Sequence, residues 1–136
     1  MSASYQVDVV AADRMVWEGQ STQVVATTTE GEVGILAGHI PFIGALVPGS
    51  VQITAEDGRT EVIAVDGGFL SVSLERVAVI SPYAQLAEEI SLDKAQRELR
   101  EVEALLDAGD ISLETERRLH RAQAQVSAAS RGKPTI

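Results

Sequence analysis

Between Thr28 and Gly49 the chain reads Thr-Thr-Glu-Gly-Glu-Val-Gly-Ile-Leu-Ala-Gly-His-Ile-Pro-Phe and then, after Ile43-Gly44-Ala45, Leu-Val-Pro-Gly. Gly31, Gly34 and Gly38 fall within eight positions, and Pro41 and Pro48 follow. No helix survives that spacing. Proline fixes φ and removes a donor, which places Pro41 and Pro48 at strand edges or turns. The three glycines mark positions that need a positive φ or a close approach to another strand. The stretch is expected to form tight turns between very short strands, with Glu30-Gly31-Glu32 as an exposed tip.

At 136 residues, 45% of them apolar, the chain has enough material for one small domain, with or without an appendage. A mean hydropathy of +0.07 suits a globular protein. Cysteine is absent, so neither disulfides nor a thiolate zinc site can staple the fold. Met1-Ser2-Ala3-Ser4 has neither a basic region nor an apolar run, so no signal peptide is expected. The longest apolar segment, Ile40 to Val47, is too short to span a bilayer. A net charge of −9 argues against a nucleic-acid partner. The charge is uneven: residues 1–86 carry −7, residues 88–110 carry −5, and residues 112–136 carry +3. The basic C-terminal segment suggests a contact role of its own.

Tyr5, Val7 and Val9 alternate with polar residues, as in a half-buried strand. Arg14 to Glu18 reads as a second short strand closed by Gly19, and Gln23 to Thr28 as a third. Asp57-Gly58 is a favoured two-residue turn. It would pair Glu56 with Arg59, Ala55 with Thr60, Ile53 with Val62 and Val51 with Ala64. Val65-Asp66-Gly67-Gly68-Phe69 reads as a tight corner. A loop at Glu75-Arg76 would then pair Leu74 with Val77 and Val72 with Val79. Many short strands with frequent turn signals indicate a sandwich or barrel. The pattern changes at Ser91, an N-cap, with Leu92, Ala95, Leu99, Val102 and Leu106 at helical steps. Gly109 stops that helix. Ser112 caps a second, whose stripe is Leu113, Leu119, Ala122, Val126 and Ala129, fraying before Gly132 and Pro134. The fold class is therefore an N-terminal antiparallel β-sandwich (residues 1–86) followed by a C-terminal antiparallel two-helix hairpin (residues 87–136). The second helix offers mostly alanine, so the hairpin is expected to dock weakly on the sandwich.

The Gly-Ile-Leu-Ala-Gly-His-Ile-Pro run at Gly34–Pro41 resembles the signature of the epsilon subunit of rotary F-type ATP synthases. Tyr5–Val10, Pro48-Gly49, Asp66–Leu70 and Val77–Ser81 resemble that family's first strand, its two corners and its last strand. The resemblance implies a non-catalytic central-stalk subunit, peripheral on the cytoplasmic face of a bacterial membrane. It would couple the catalytic head to the c-ring and regulate ATP hydrolysis through its helices. By resemblance, Glu30, Gly31 and Glu32 meet the c-ring, and Gly38 and His39 meet the gamma subunit. For His39 the alternative is a turn histidine satisfied by its own backbone. Arg117, Arg118 and Arg121 share a helical face about 110° from the apolar stripe. The resemblance supplies the acidic lobes of the beta subunits as their partner. Some members bind ATP through Ile/Leu-Asp-x-x-Arg-Ala, which aligns with Leu92-Asp93-Lys94-Ala95-Gln96-Arg97. Gln96 occupies the arginine position and Arg97 the alanine position. Leu92, Asp93 and Arg97 are thus the candidate nucleotide contacts, with weak ATP binding or none, and no cofactor, expected.

Enzymatic chemistry finds no support in the residues. His39 and His120 lie in different segments, and there is no nucleophile elbow, dinucleotide fingerprint or Walker sequence. The competing reading is a stand-alone nucleotide-sensing module.

Overall fold

The computed structural model describes residues 3–132; the readings at Met1, Ser2 and Pro134 lie outside them. The strands are β1 (Tyr5–Val10), β2 (Met15–Thr28), β3 (Gly31–Ile35), β4 (Phe42–Ala55), β5 (Thr60–Val72), β6 (Arg76–Ile80) and β7 (Ala84–Leu86). A 3-10 turn at Ala87–Glu89 leads to helices α1 (Leu92–Asp107) and α2 (Leu113–Gly132). The strand order is β1-β6-β5-β4-β2-β3, with β7 beside β5. β1 also pairs with β2, which closes a barrel-like sandwich. All pairs are antiparallel except β1–β6.

Gly19, Pro48, Gly67 and Gly68 lie inside strands rather than at their ends. β2 and β4 each run 14 residues and β5 runs 13, against the expectation of very short strands. Gly19 does not close a strand: β2 passes through it opposite Val7. A Cβ at Gly19 would meet the Trp17 ring at 3.0 Å, so this glycine makes room for an indole that packs on the core. Pro48 lies inside β4, opposite Asp66 of β5. Its missing donor falls where the β2 ladder is irregular, between Val25 and Thr28. Opposite it, Gly67 and Gly68 keep β5 continuous with φ of 73° and 101°. A Cβ on Gly68 would sit 2.0 Å from the Ile80 carbonyl oxygen. Beyond this bend β5 exchanges β7 for β6 as its neighbour.

Both predicted hairpin registers shift, and the reasons differ. At the first, Ala55 N–H donates to the Arg59 carbonyl at 2.8 Å and Gly58 N–H to the Ala55 carbonyl at 2.9 Å. With Gly58 at φ 92°, Glu56-Asp57-Gly58 forms a three-residue loop with a bulge. The pairs become Thr54–Thr60, Ile53–Glu61, Gln52–Val62 and Val51–Ile63. A slip of one moves Val62 and Ala64 to the face opposite Val51 and Ile53. That face is dry as well, so Val62, Ile63, Ala64 and Val65 are all buried. At the second hairpin, Ser73 N–H donates to the Arg76 carbonyl at 2.9 Å, and Leu74-Glu75 is the loop. Val72 faces Val77 and Leu70 faces Val79, a slip of two that preserves faces and leaves Leu74 outside.

The inner core holds Val7, Val9, Val24, Ile35, Val51, Ile53, Ile63, Val65, Leu70, Val77 and Val79. Tyr5 donates its hydroxyl to the Ile35 carbonyl at 2.5 Å, tying β1 to the end of β3, and burial pushes its pKa up to about 12. A second cluster joins Val62 and Ala64 to Ala87, Ile90, Ala95, Ala124, Ala128 and Ala129. α2 lies on β4 and β5, and α1 packs on α2. Ala124 and Ala128 therefore form a sheet-facing side that the single predicted stripe omitted. Leu113, placed on that stripe, is exposed.

The caps match expectation. Ser91 Oγ accepts from Lys94 N–H at 3.3 Å. α1 ends with Gly109 N–H donating to Leu106 and Asp110 N–H to Leu105, both at 3.0 Å, a Schellman closure. Ser112 Oγ accepts from Thr115 N–H at 3.2 Å. Asp110 braces the turn through Ser112 N–H and the Thr115 hydroxyl, and these bonds hold its carboxyl below the ordinary value.

Two glycine substitutions separate bend from ornament. Gly68→Ala meets both a backbone clash and a disfavoured φ, so unfolding in urea should show a loss of about 3 kcal/mol or more. Gly34 has neither a positive φ nor a neighbour closer than 3.8 Å, contrary to the sequence expectation. Gly34→Ala should stay within ~0.5 kcal/mol of wild type.

Candidate functional site

The glycine-rich run emerges as two turns on one side of the barrel. At the β2–β3 turn, Thr28 Oγ1 accepts from Glu30 N–H at 3.1 Å and donates to the Gly31 carbonyl at 2.9 Å. Gly31, at φ 119°, completes the turn. Glu30 and Glu32 stand exposed, with no ion-pair partner among the described residues. The second turn closes with His39 N–H donating to the Leu36 carbonyl at 3.1 Å, and Gly38 supplies φ 85°. His39 Nδ1 lies 2.8 Å from the Ile40 carbonyl and, facing an acceptor, carries the proton. Its ring leans on Phe42 at 5.3 Å between centroids. The backbone-satisfied histidine is thus the geometry observed. It orients the ring and leaves the turn, with exposed Leu36 and Ile40, facing outward.

Beside this turn lies a surface the sequence reading missed. Ala45, Phe69, Ile80, Val10 and Met15 are successive cross-strand partners over β4, β5, β6, β1 and β2. Phe69 is 56% exposed, Ile80 50%, Met15 47% and nearby Ile43 75%. A contiguous apolar band of this kind marks an interaction face. Its sequence signal was Phe69 standing out of step with Leu70 and Val72, hidden because Gly67-Gly68 read as a corner.

In the hairpin, the three arginines do not act as one outward face. Arg118 crosses to α1, with Nε 2.8 Å and a terminal nitrogen 2.9 Å from the two Glu98 oxygens, and Glu101 at 3.5 Å. Arg121 stacks over the Tyr83 ring at 4.5 Å. Arg117 is exposed and, like Arg121, has no carboxylate partner among the described residues. Glu116, on the same helix, approaches His120 at 4.0 Å. Arg117 and Arg121 stand about one helical turn apart on α2.

Arg117 and Arg121 line a cleft of about 690 Å³ between α1, α2 and β7, with Lys94, Glu98, Gln85 and Gln125. The candidate nucleotide contacts are not gathered in it. Leu92 packs inward. Asp93 and Arg97 instead line a separate hollow on α1 with Gln96 and Arg100. No group of metal-ligating side chains occurs among the described residues.

The match to the family model described as ATP synthase, Delta/Epsilon chain, beta-sandwich domain covers residues 4–87. An ATP synthase epsilon chain of Cutibacterium acnes is 44% identical over 132 residues, covering 91% of this chain and 90% of that one. One of Streptomyces avermitilis is 45% identical over 108 residues, covering 79% and 87%. Among solved structures, a chain of the Euglena gracilis mitochondrial ATP synthase (OSCP/F1/c-ring) is 23% identical with TM-score 0.80, covering 96% of this chain and 82% of that one. One from the Tetrahymena thermophila mitochondrial ATP synthase central stalk/c-ring is 12% identical with TM-score 0.59, covering 98% of each. At these identities the structural likenesses are likenesses of fold.

The Arg118–Glu98 clamp carries a pH signature. Hydrogen bonds from Arg118 hold the Glu98 carboxyl below its ordinary 4.5. The clamp's contribution is therefore complete above that value and is lost as pH falls through the lower, folded-state value. Arg118→Ala should be less stable than wild type near pH 7, and the gap should close below pH 4.5. Urea unfolding followed by helix circular dichroism, repeated across pH, reads this directly.

Proposed function

The chain belongs to the ATP synthase delta/epsilon family, as a non-catalytic subunit, and on that premise we propose that it is a central-stalk rotor subunit. In this reading residues 1–86 bind the gamma subunit and the c-ring, and residues 87–136 form a hairpin that regulates ATP hydrolysis. The observation that carries the docking part is the apolar band through Phe69 and Ile80, next to the Gly38-His39 turn. A row of large apolar side chains left bare beside a rigid, backbone-braced turn fits a helical or coiled partner such as gamma. Glu30 and Glu32, projecting from the neighbouring turn, would meet the c-ring. The division near residue 86 is supported by the last strand ending at Leu86. No helix among the described residues is long and apolar enough to cross a membrane. Attachment to the cytoplasmic face of the membrane would therefore come through the complex.

The regulatory part rests on how the hairpin is held. The apolar part of its contact with the sheet is made mostly of alanines, each methyl adding on the order of 0.8 kcal/mol. Such a surface is suited to release. On release, Arg117 and Arg121 become free to meet acidic lobes of the beta subunits, whereas Arg118 stays committed to α1. The cleft supports a second reading, in which Lys94, Arg117 and Arg121 hold a nucleotide's phosphates while the hairpin is docked.

Two experiments test these readings. Phe69→Asp or Ile43→Asp should leave the sheet folded, since both side chains are exposed, and weaken calorimetric binding to gamma at least tenfold. Unchanged affinity would remove the band from the interface. The double replacement Arg117→Ala, Arg121→Ala separates the two arginine roles by sign. If the arginines grip beta, hydrolysis by the assembled complex rises. If they hold a nucleotide that keeps the hairpin docked, hydrolysis falls, and ATP no longer shifts the amide resonances of the isolated chain.

A further inference from the structure

The contact between strands and helices is mostly neutral, and only one carboxylate in it faces a group that can become a cation. Ala124 and Ala128 meet Val62 and Ala64. Ser50 Oγ and Ser127 Oγ are 3.0 Å apart, and Gln125 Nε2 donates to the Tyr83 hydroxyl at 3.0 Å. Arg121 lies on the Tyr83 ring without meeting a carboxylate. That carboxylate is Asp66, its Oδ1 3.9 Å from His120 Nδ1. Among the described residues it is the sole pairing of ionisable groups of opposite sign between the two parts.

Asp66 is placed where this matters. It sits one residue before the Gly67-Gly68 bend, and its backbone N–H is taken by the Tyr83 carbonyl and the Ser81 hydroxyl. Its side chain is only 15% exposed, and its carboxylate accepts no hydrogen bond from any described residue. A carboxylate so withdrawn from water and without donors gains when a cation is set beside it. His120, 37% exposed, can become that cation.

We propose that His120 and Asp66 form a proton-operated latch, in which proton uptake by His120 tightens the docking of the hairpin on the sheet. The inference rests on the reading that the hairpin can leave the sheet. Glu116 lies 4.0 Å from His120 Nε2 on the same helix, so it attracts the imidazolium in both positions and does not favour either. Asp66 is met only in the docked position, and it sets the sign. Of the other charged groups, Arg117 stands three residues before His120 on α2 and moves with it, while Arg121 on α2 and Arg14 in the β1–β2 loop act on the Tyr83 hydroxyl. Burial raises the pKa of that hydroxyl, which stays neutral throughout. β4 offers Pro48 and Ser50 at this level, neither of which titrates. Glu89 of the 3-10 turn and Glu98 of α1 line the interhelical cleft, which His120 does not. Docking therefore strengthens when the imidazole takes up a proton, because the carboxylate it then faces is present only in the docked position.

The chain has no cysteine, so Thr60→Cys and Ser130→Cys, both exposed positions, give a clean pair of spin labels on sheet and hairpin. Distance distributions of the full-length chain in a mild urea series give the docked-to-released ratio at each pH. That ratio should rise about two- to five-fold between roughly pH 8 and 5.5, the size of a near-surface ion pair. Asp66→Asn and His120→Gln should each abolish the rise, and Glu116→Gln should keep it. A rise that persists in Asp66→Asn, or no rise in wild type, overturns the latch. Failure of the regulatory reading shows separately, as hydrolysis by the assembled complex that is indifferent to the state of the hairpin.

Discussion

The close approach of the Gly68 backbone to the Ile80 carbonyl is the constraint on which the architecture turns. Because Gly68 carries no side chain, β5 can bend across the end of β6 and pair with two different neighbours along its length. Pro48, facing the same region from β4, gives up a ladder position that the bend has already disrupted. Together they let two long strands serve both layers of the sandwich, so that a closed barrel needs few chain reversals. Every outer surface follows from this. One half of the bent pair is roofed by α2, and the other is left bare and carries the apolar band.

How much of this could be read in advance depended on whether a residue's meaning is local. Caps were legible because Ser91, Gly109 and Ser112 act on backbone groups within a few positions. So were the alternating strands, the exposed Glu30–Glu32 tip and the identity carried by Gly34–Pro41. Bends were misread as ends, since a glycine pair in a strand and one in a corner look alike until the partner strands are known. The Asp57-Gly58 hairpin is the instructive failure. Choosing its register by asking for one apolar face assumed that the other face was wet, and the roof of helix over Val62 and Ala64 makes it dry. The fates of Arg118 and Arg121 were hidden for the same reason. Helical spacing gives directions around an axis and says nothing of what stands in each direction.

Within the hairpin, strength and weakness are unevenly distributed. Between the helices a bidentate ion pair and a braced turn join α1 to α2. Between the helices and the strands there are methyl groups, two hydroxyls, an amide, an arginine on a tyrosine ring and one histidine–aspartate approach. Disruption is therefore expected to pass between sheet and hairpin before it passes between the helices. The cleft that collects Lys94, Arg117 and Arg121 lies along that seam.

The doubly covered run Val62-Ile63-Ala64-Val65 has a further consequence. It is four consecutive apolar residues in the middle of the sheet, three of them β-branched, and a strand of that kind left bare favours self-association. While α2 lies over it, that stickiness is quenched inside the molecule. Lifting the roof uncovers Val62 and Ala64 in register, side by side with Ser50 and Gln52 of β4. An unaccompanied chain with its helices raised would be a candidate for clumping rather than a resting state. The raised form belongs inside an assembly whose own walls shield the strand.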